Sequence, residues 1–339
     1  MRCWALLLLA GLLGADDADK IVEQEMERQH IPGAAVAVLR DGRVVKARGY
    51  GWSNVELKTP ATAESVFKIG SVSKQFIASG ILILMQDGKL ALDDRIAKYL
   101  EDAPAWWREV TLRRLLSHTS GIIREGPAFN ILLAQPDIDV VRSAYSRPLD
   151  FPTGEKYQYC NVCYFALAEV ITRLGGKPWP KFLEERLFTP LAMTATRTTA
   201  HYDLVPHRAS GYTWENGTHS NVYPQLAVRP SGALLSTVID LAKWDAALYG
   251  DTPLREATKK EAWTPVRLNN GSTYGYGLGW TIGESKGHAY VSHGGALAGF
   301  KAHFTRYTRD RLSVIVLTNL DQAVPGPIAD RLGAHYLEH

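Results

Sequence analysis

Strand-forming stretches at both ends of the chain, with helix-forming sequence between them, limit the possible folds more than any other feature. Ala34 to Leu39 and Val44 to Gly49 are apolar or alternating runs separated by Arg40-Asp41-Gly42-Arg43, and Asp-Gly is a strong hairpin signal. Tyr276 to Ile282, His288 to Ser292, Phe300 to Tyr307 and Leu312 to Leu317 repeat the pattern near the other end, with Thr308 to Arg311 as a further turn. An isolated hairpin is marginal in water, so the terminal stretches are expected to complete one antiparallel sheet. Asp19 to His30 and a last helix near Pro327 to Leu337 flank it. From Ser71 to Thr264 the pattern is mostly helical, clearest at Ile77 to Met85, Leu112 to Leu116, Tyr164 to Leu174 and Val238 to Leu248. The expected fold class is mixed α/β (α+β): a discontinuous sheet domain over 16–70 and 265–339, and an inserted helical domain over 71–264. The active site is expected at their junction, where ligand sites tend to fall.

The formal charge of +3 is small for 339 residues, and no basic run suggests a nucleic-acid surface, so the expected partner is a small molecule or peptide. Arg2, the apolar stretch Trp4 to Leu13 and Gly14-Ala15 read as a signal peptide over 1–15, hence an exported protein, periplasmic or secreted, with no stable membrane anchor. Of the three cysteines, Cys160 and Cys163 form a C-x-x-C. That pair reads as two small apolar residues on a packed helix, with a local disulfide as the alternative. It cannot hold zinc without two further ligands, and no metal-binding spacing or cofactor motif appears elsewhere, so neither metal nor cofactor is expected.

Serine becomes a nucleophile when a neighbouring base takes its proton, and a lysine three positions later on a helix lies on the same face. Ser71-Val72-Ser73-Lys74 meets that requirement, as does Ser65-Val66-Phe67-Lys68. Ser71 follows Gly70 and opens the apolar run Phe76 to Met85, which places it at a helix N-terminus where developing negative charge is favoured; Ser65 lies in the approach. Tyr159-Cys160-Asn161 starts a helix after Pro152-Thr153-Gly154-Glu155, and can supply a proton relay and an amide that orients a lysine or a substrate. His293-Gly294-Gly295 ends an apolar strand, where glycines let a backbone edge approach a substrate.

These three elements, in this order, resemble the penicillin-recognising serine hydrolases: class C β-lactamases, D-alanyl-D-alanine carboxypeptidases, D-amino-acid peptidases and β-lactamase-like esterases. Leu115 to Gly121, Thr189 to Met193, Ser231 to Thr237 with Asp240, and Tyr276 to Trp280 look like further landmarks of that family. The resemblance implies a β-lactamase/transpeptidase-like fold and an acyl-enzyme on Ser71. It also implies proton transfer shared by Lys74 and Tyr159, substrate contacts at Asn161, His293, Gly294 and Gly295, and an oxyanion hole from the backbone N–H groups of Ser71 and Ala296. Lys74 is then either shifted by its surroundings from its reference pKa of about 10.4 or works as a cation that keeps Tyr159 deprotonated.

Two positions depart from the family pattern. His293 stands where β-lactamases of this group usually carry lysine, and a neutral imidazole is a weaker anchor for a substrate carboxylate. Cys160 replaces the usual serine. His118 reads as part of a helix-ending turn, His288 and His303 as strand residues, and Trp106, Trp107 and Tyr145 as core. The absence of Gly-x-Ser-x-Gly argues against an α/β-hydrolase. The expected activity is hydrolysis of an ester or amide, whether a small acyl ester, a D-amino-acid peptide or a β-lactam. The alternative is a penicillin-sensing or peptidoglycan-peptide-binding domain that acylates with little turnover.

Overall fold

The computed structural model describes residues 16–130, 132–133, 135–198, 203–222 and 230–338, so the expected leader over 1–15 lies outside the described residues. α1 (Asp17–Gln29) starts on Asp16, whose carboxylate accepts the Asp19 amide, and stops at His30 in the left-handed region. β1 (Gly33–Arg40) and β2 (Arg43–Asn54) form the expected hairpin. Both turn residues have positive φ, 54° at Asp41 and 71° at Gly42, which matches the twist of the strands.

β3 (Thr59–Pro60) and β4 (Phe67–Lys68) lead through a tight turn over Gly70–Ser73 into α2 (Lys74–Gln86). The helices α3 (Leu112–Leu116), α4 (Asp137–Ala144), α5 (Asn161–Gly175) and α6 (Trp179–Leu183) follow. The mostly helical stretch also contains a hairpin, β5 (Tyr212–Glu215) and β6 (Thr218–Asn221), turning at Asn216 and Gly217, both at positive φ. β7 (Leu235–Ser236) pairs with β4, and α7 (Val238–Ala247), α8 (Glu256–Ala262), β8 (Val266–Arg267) and β9 (Thr273–Tyr274) complete the middle of the chain. β10 (Thr281–Ser285), β11 (His288–Leu297), β12 (Phe300–Tyr307), β13 (Leu312–Thr318) and α9 (Pro325–Glu338) close it.

Two strand boundaries differ from expectation. β10 starts at Thr281 because Tyr276 to Gly279 turn instead, with Gly279 at φ 82° packed against α2. β11 runs through His293 to Leu297, since pairing with β12 uses backbone groups and continues past the end of the apolar side chains.

One antiparallel sheet, in the order β10-β11-β12-β13-β1-β2-β3, joins the two ends of the chain as the sequence implied. β1 is buried on both faces, which is why it reads as unbroken apolar sequence. Ala34, Val36 and Val38 join Val22 of α1 and Leu332 of α9 in one cluster, while Ala35, Ala37 and Leu39 join Ile77, Ile81 and Trp244 in the other. The α2 and α5 helices belong to that second cluster, so the sheet and the helical region meet around the start of α2. Among the described residues, no helix is long and apolar enough to cross a membrane.

In the first turn of α4, the Asp137 carboxyl accepts Trp179 Nε1–H at 2.7 Å. Burial pushes its pKa up to about 7, with the Trp179 bond opposing and the Glu169 charge adding. The folded chain therefore holds this proton more tightly than the unfolded one. Its stabilising contribution is fully present below the unfolded carboxyl pKa of about 3.9 and is lost as pH rises toward 7. Asp137→Asn keeps an acceptor without the charge, so it should flatten the melting temperature across that window and raise it above about pH 7. Thermal melts against pH check this, and an unchanged slope contradicts it.

Candidate active site

Gly70, at φ 54°, lets the chain swing from β4 into the turn that carries Ser71, and the three-residue offset puts Lys74 on the same face. Lys74 is fully buried. Its Nζ donates to Ser71 Oγ at 3.2 Å, Asn161 Oδ1 at 2.8 Å and the Ser231 carbonyl at 2.6 Å, partners that a buried ammonium needs. Tyr159 and Asn161 arrive from either side of Cys160, the N-cap of α5. The Tyr159 hydroxyl shares a hydrogen bond with the Ser71 side chain, and its ring centroid lies 4.7 Å from Lys74 Nζ and 5.3 Å from the Arg124 guanidinium carbon. Burial holds this phenol well above its ordinary pKa; the Ser71 bond and the Arg124 charge pull it down less strongly, and the Glu125 charge adds to the rise.

The competing serine is placed differently. Ser65 is buried, its Oγ accepts the Thr62 amide at 2.9 Å, and Phe67–Lys68 is a strand, so Ser65 and Lys68 share no helical face.

β10 covers β11 only as far as Ser292, leaving the edge from His293 onward uncovered by β10. The Gly70–Ser73 turn lies against that segment. A Cβ on Gly295 would sit 2.0 Å from the Ile69 carbonyl oxygen, and one on Gly70 would sit 2.4 Å from the Ala296 nitrogen. The backbones carrying the Ser71 and Ala296 amides are thus in direct contact. Gly294 has no such constraint, since a Cβ there would meet only ordinary contacts at 3.8 Å and beyond.

His293 is buried and turned inward. A carbonyl can only accept, so Nδ1–H donates to the Gly294 oxygen at 2.7 Å, and Nε2 accepts from the Tyr276 hydroxyl at 2.9 Å. Burial first, and then the Lys74 charge, push its pKa down to about 3, so this imidazole is neutral. Both of its nitrogens are engaged within the protein.

Several site residues had no strong signal in the sequence. Asn161 Nδ2 donates to Glu125 Oε1 at 2.5 Å, and the Arg124 carbonyl accepts the Asn161 amide at 2.8 Å, so the loop after α3 seats the start of α5. His118 lies beneath Tyr159. The Ser231 carbonyl has no sequence signature at all, because every residue carries one. Cys160 and Cys163 are not the expected pair of separate apolar residues: they are buried on the packed helix but joined by a disulfide, and the Cys163 amide also points at Cys160 Sγ. Among the described residues, no three His, Cys, Asp or Glu side chains are grouped to hold a metal ion.

The Beta-lactamase family pattern matches residues 18–338. The chain is 29% identical to penicillin-binding protein 4* of Bacillus subtilis (strain 168) over 326 residues, covering 88% of this chain and 70% of that protein. The fold superposes on an octameric penicillin-binding protein homologue from Pyrococcus abyssi with a TM-score of 0.84 and 25% identity, covering 95% of this chain and 78% of that one. A D-stereospecific amidohydrolase from Streptomyces sp. superposes with a TM-score of 0.76 and 25% identity, covering 91% of this chain and 96% of that one. A match across nearly all of the described fold, with the Ser71-x-x-Lys74 turn at its centre, places the chain in the Beta-lactamase family of serine hydrolases.

Proposed function

We propose that the chain hydrolyses a small ester or amide through an acyl-enzyme on Ser71. The observation that carries this is the meeting of Lys74 Nζ and the Tyr159 hydroxyl on one oxygen, Ser71 Oγ. Before the step Lys74 gives up a proton to solvent; its neutral amine then takes the Ser71 hydroxyl proton as Oγ attacks the substrate carbonyl carbon, and the ammonium so formed returns it, by way of the Tyr159 hydroxyl, to the leaving alkoxide or amine as the C–O or C–N bond breaks. Water then attacks the acyl-Ser71 ester, releasing the acid and restoring the hydroxyl. The Ser71 and Ala296 amides, at the positive end of α2, take the charge that develops on the carbonyl oxygen. In this account Asn161 and the open edge at Gly294 and Gly295 hold the substrate, and His293 shapes that edge from beneath.

Because His293 is neutral and engaged inward, the site lacks a fixed cation at that position for a substrate carboxylate. The exposed rim beside Tyr159 carries Arg124 and Glu125, 3.9 Å apart, so it is close to neutral. Both features favour acyl esters and D-amino-acid amides over β-lactams, whose carboxylate neighbours the reacting ring. The likeness to the Streptomyces D-stereospecific amidohydrolase supports the amide side of this preference. The setting we propose is outside the cytoplasm, in keeping with the buried disulfide and the signal-like start of the sequence.

A panel of p-nitrophenyl esters, D-alanyl amides and nitrocefin tests the proposal. A missing charge-assisted hydrogen bond is worth about 1.5–3 kcal/mol, so kcat/KM for the preferred ester or amide should exceed that for nitrocefin by at least about tenfold. Equal values contradict the substrate preference. Release of one equivalent followed by a halt on every substrate favours the sensing alternative.

A further inference from the structure

His118 follows α3 at φ 58°, a left-handed conformation that histidine and asparagine adopt more readily than most residues. Its fully buried ring is enclosed by four tyrosines, with centroids 4.2 Å from Tyr159, 4.9 Å from Tyr276, 5.2 Å from Tyr164 and 5.8 Å from Tyr157. Nδ1 accepts the backbone N–H of Cys160 at 3.1 Å. Cys160 is the residue between Tyr159 and Asn161, so this bond, together with the Asn161 amide on the Arg124 carbonyl, holds the backbone from which both reach the site.

Since Nδ1 accepts, Nε2 carries the hydrogen, and that N–H has no acceptor among the described residues. Burying an unpaired donor is destabilising, and a phenylalanine would fill the same cage without doing so. What phenylalanine lacks is an acceptor for the Cys160 amide. Burial, then the charges of Lys74 and Arg124, keep the imidazole neutral. The ring can therefore press on Tyr159 without adding a third cation to Lys74 and Arg124, which already lie near that phenol.

From this geometry we infer that His118 is a positioning residue for acylation, fixing through the Cys160 amide where the Tyr159 hydroxyl and the Asn161 amide meet Ser71 and Lys74. The role rests on the acyl-enzyme chemistry proposed above. His118→Phe keeps a ring in the cage and removes the acceptor; His118→Asn keeps an acceptor and suits the left-handed backbone. Exhaustive titration with a fluorophosphonate counts reactive Ser71 sites, and kcat and KM for a p-nitrophenyl ester are then expressed per titrated site. For His118→Phe, kcat per site should fall at least about thirtyfold with KM within about twofold, while His118→Asn should keep kcat within about threefold. A merely structural role would lower the number of titrated sites and leave the rate per site unchanged. Wild-type kcat per site in His118→Phe, or equal losses in the two variants, overturns the positioning role. A wild-type protein that titrates no site at Ser71 overturns the proposed function instead, so the two failures are distinguishable.

Discussion

Lys74→Met is expected to lower kcat for the preferred ester or amide by at least about 1,000-fold while the protein stays folded. The methionine keeps an unbranched stem in the same buried channel but offers Ser71 Oγ no proton partner. Two stability effects oppose each other. Loss of Nζ leaves Asn161 Oδ1 and the Ser231 carbonyl without that donor, at about 1–3 kcal/mol each. It also removes the cost of burying an ammonium, several kcal/mol in its own right. The melting temperature should therefore move little compared with the rate. Steady-state kinetics with circular dichroism melts check both parts, and a folded variant within about tenfold of wild-type kcat contradicts the role of Lys74.

Tyr159→Phe is expected to lower kcat by about 100-fold to 10,000-fold, the range for losing a positioned proton-transfer group. The substituted ring still packs on His118 at the present 4.2 Å separation and beside Lys74, so stability should change little. Only the hydroxyl that meets Ser71 is lost. Because burial holds this phenol above its ordinary pKa, Tyr159 enters the reaction as an O–H that relays a proton, with Lys74 as its partner. Kinetics of the two single variants and the double variant, run side by side, separate a shared relay from a solitary base. A shared relay makes the double variant about as slow as the worse single one. Multiplying losses would indicate independent roles.

The sheet was legible because its strands carry their own signals: Asp41-Gly42 sets the first hairpin, and β1 from Ala34 to Leu39 and β13 from Val314 to Leu317 are unbroken apolar runs. The β5–β6 hairpin turns on Asn216-Gly217, a signal of the same kind, but its strands are only four residues each, and β6 is mostly exposed and carries no apolar alternation. The extent of β11 was hidden for a related reason. His293, Gly294 and Gly295 interrupt the apolar run, yet backbone pairing with β12 continues to Leu297.

Within the site, Ser71, Lys74, Tyr159 and Asn161 stood out because their spacing is local to one helix start each. Their partners come from distant segments: Ser231 lies 157 positions from Lys74, and Tyr276 meets His293 across 17. Such contacts depend on loop paths that no local pattern encodes. The inward turn of His293 also depends on the tertiary structure, since the residue type alone allows either a buried neutral ring or an exposed one. Likewise, C-x-x-C spacing alone does not distinguish two packed thiols from the disulfide found at the start of α5.

The most direct test of the account is the site of covalent labelling. The protein is treated with a fluorophosphonate, digested, and the modified peptide is sequenced by mass spectrometry. A single adduct on Ser71 is expected, prevented by prior incubation with a slowly hydrolysed ester substrate and strongly slowed in Lys74→Met. An adduct on Ser65, or none under conditions that label a control serine hydrolase, would contradict it.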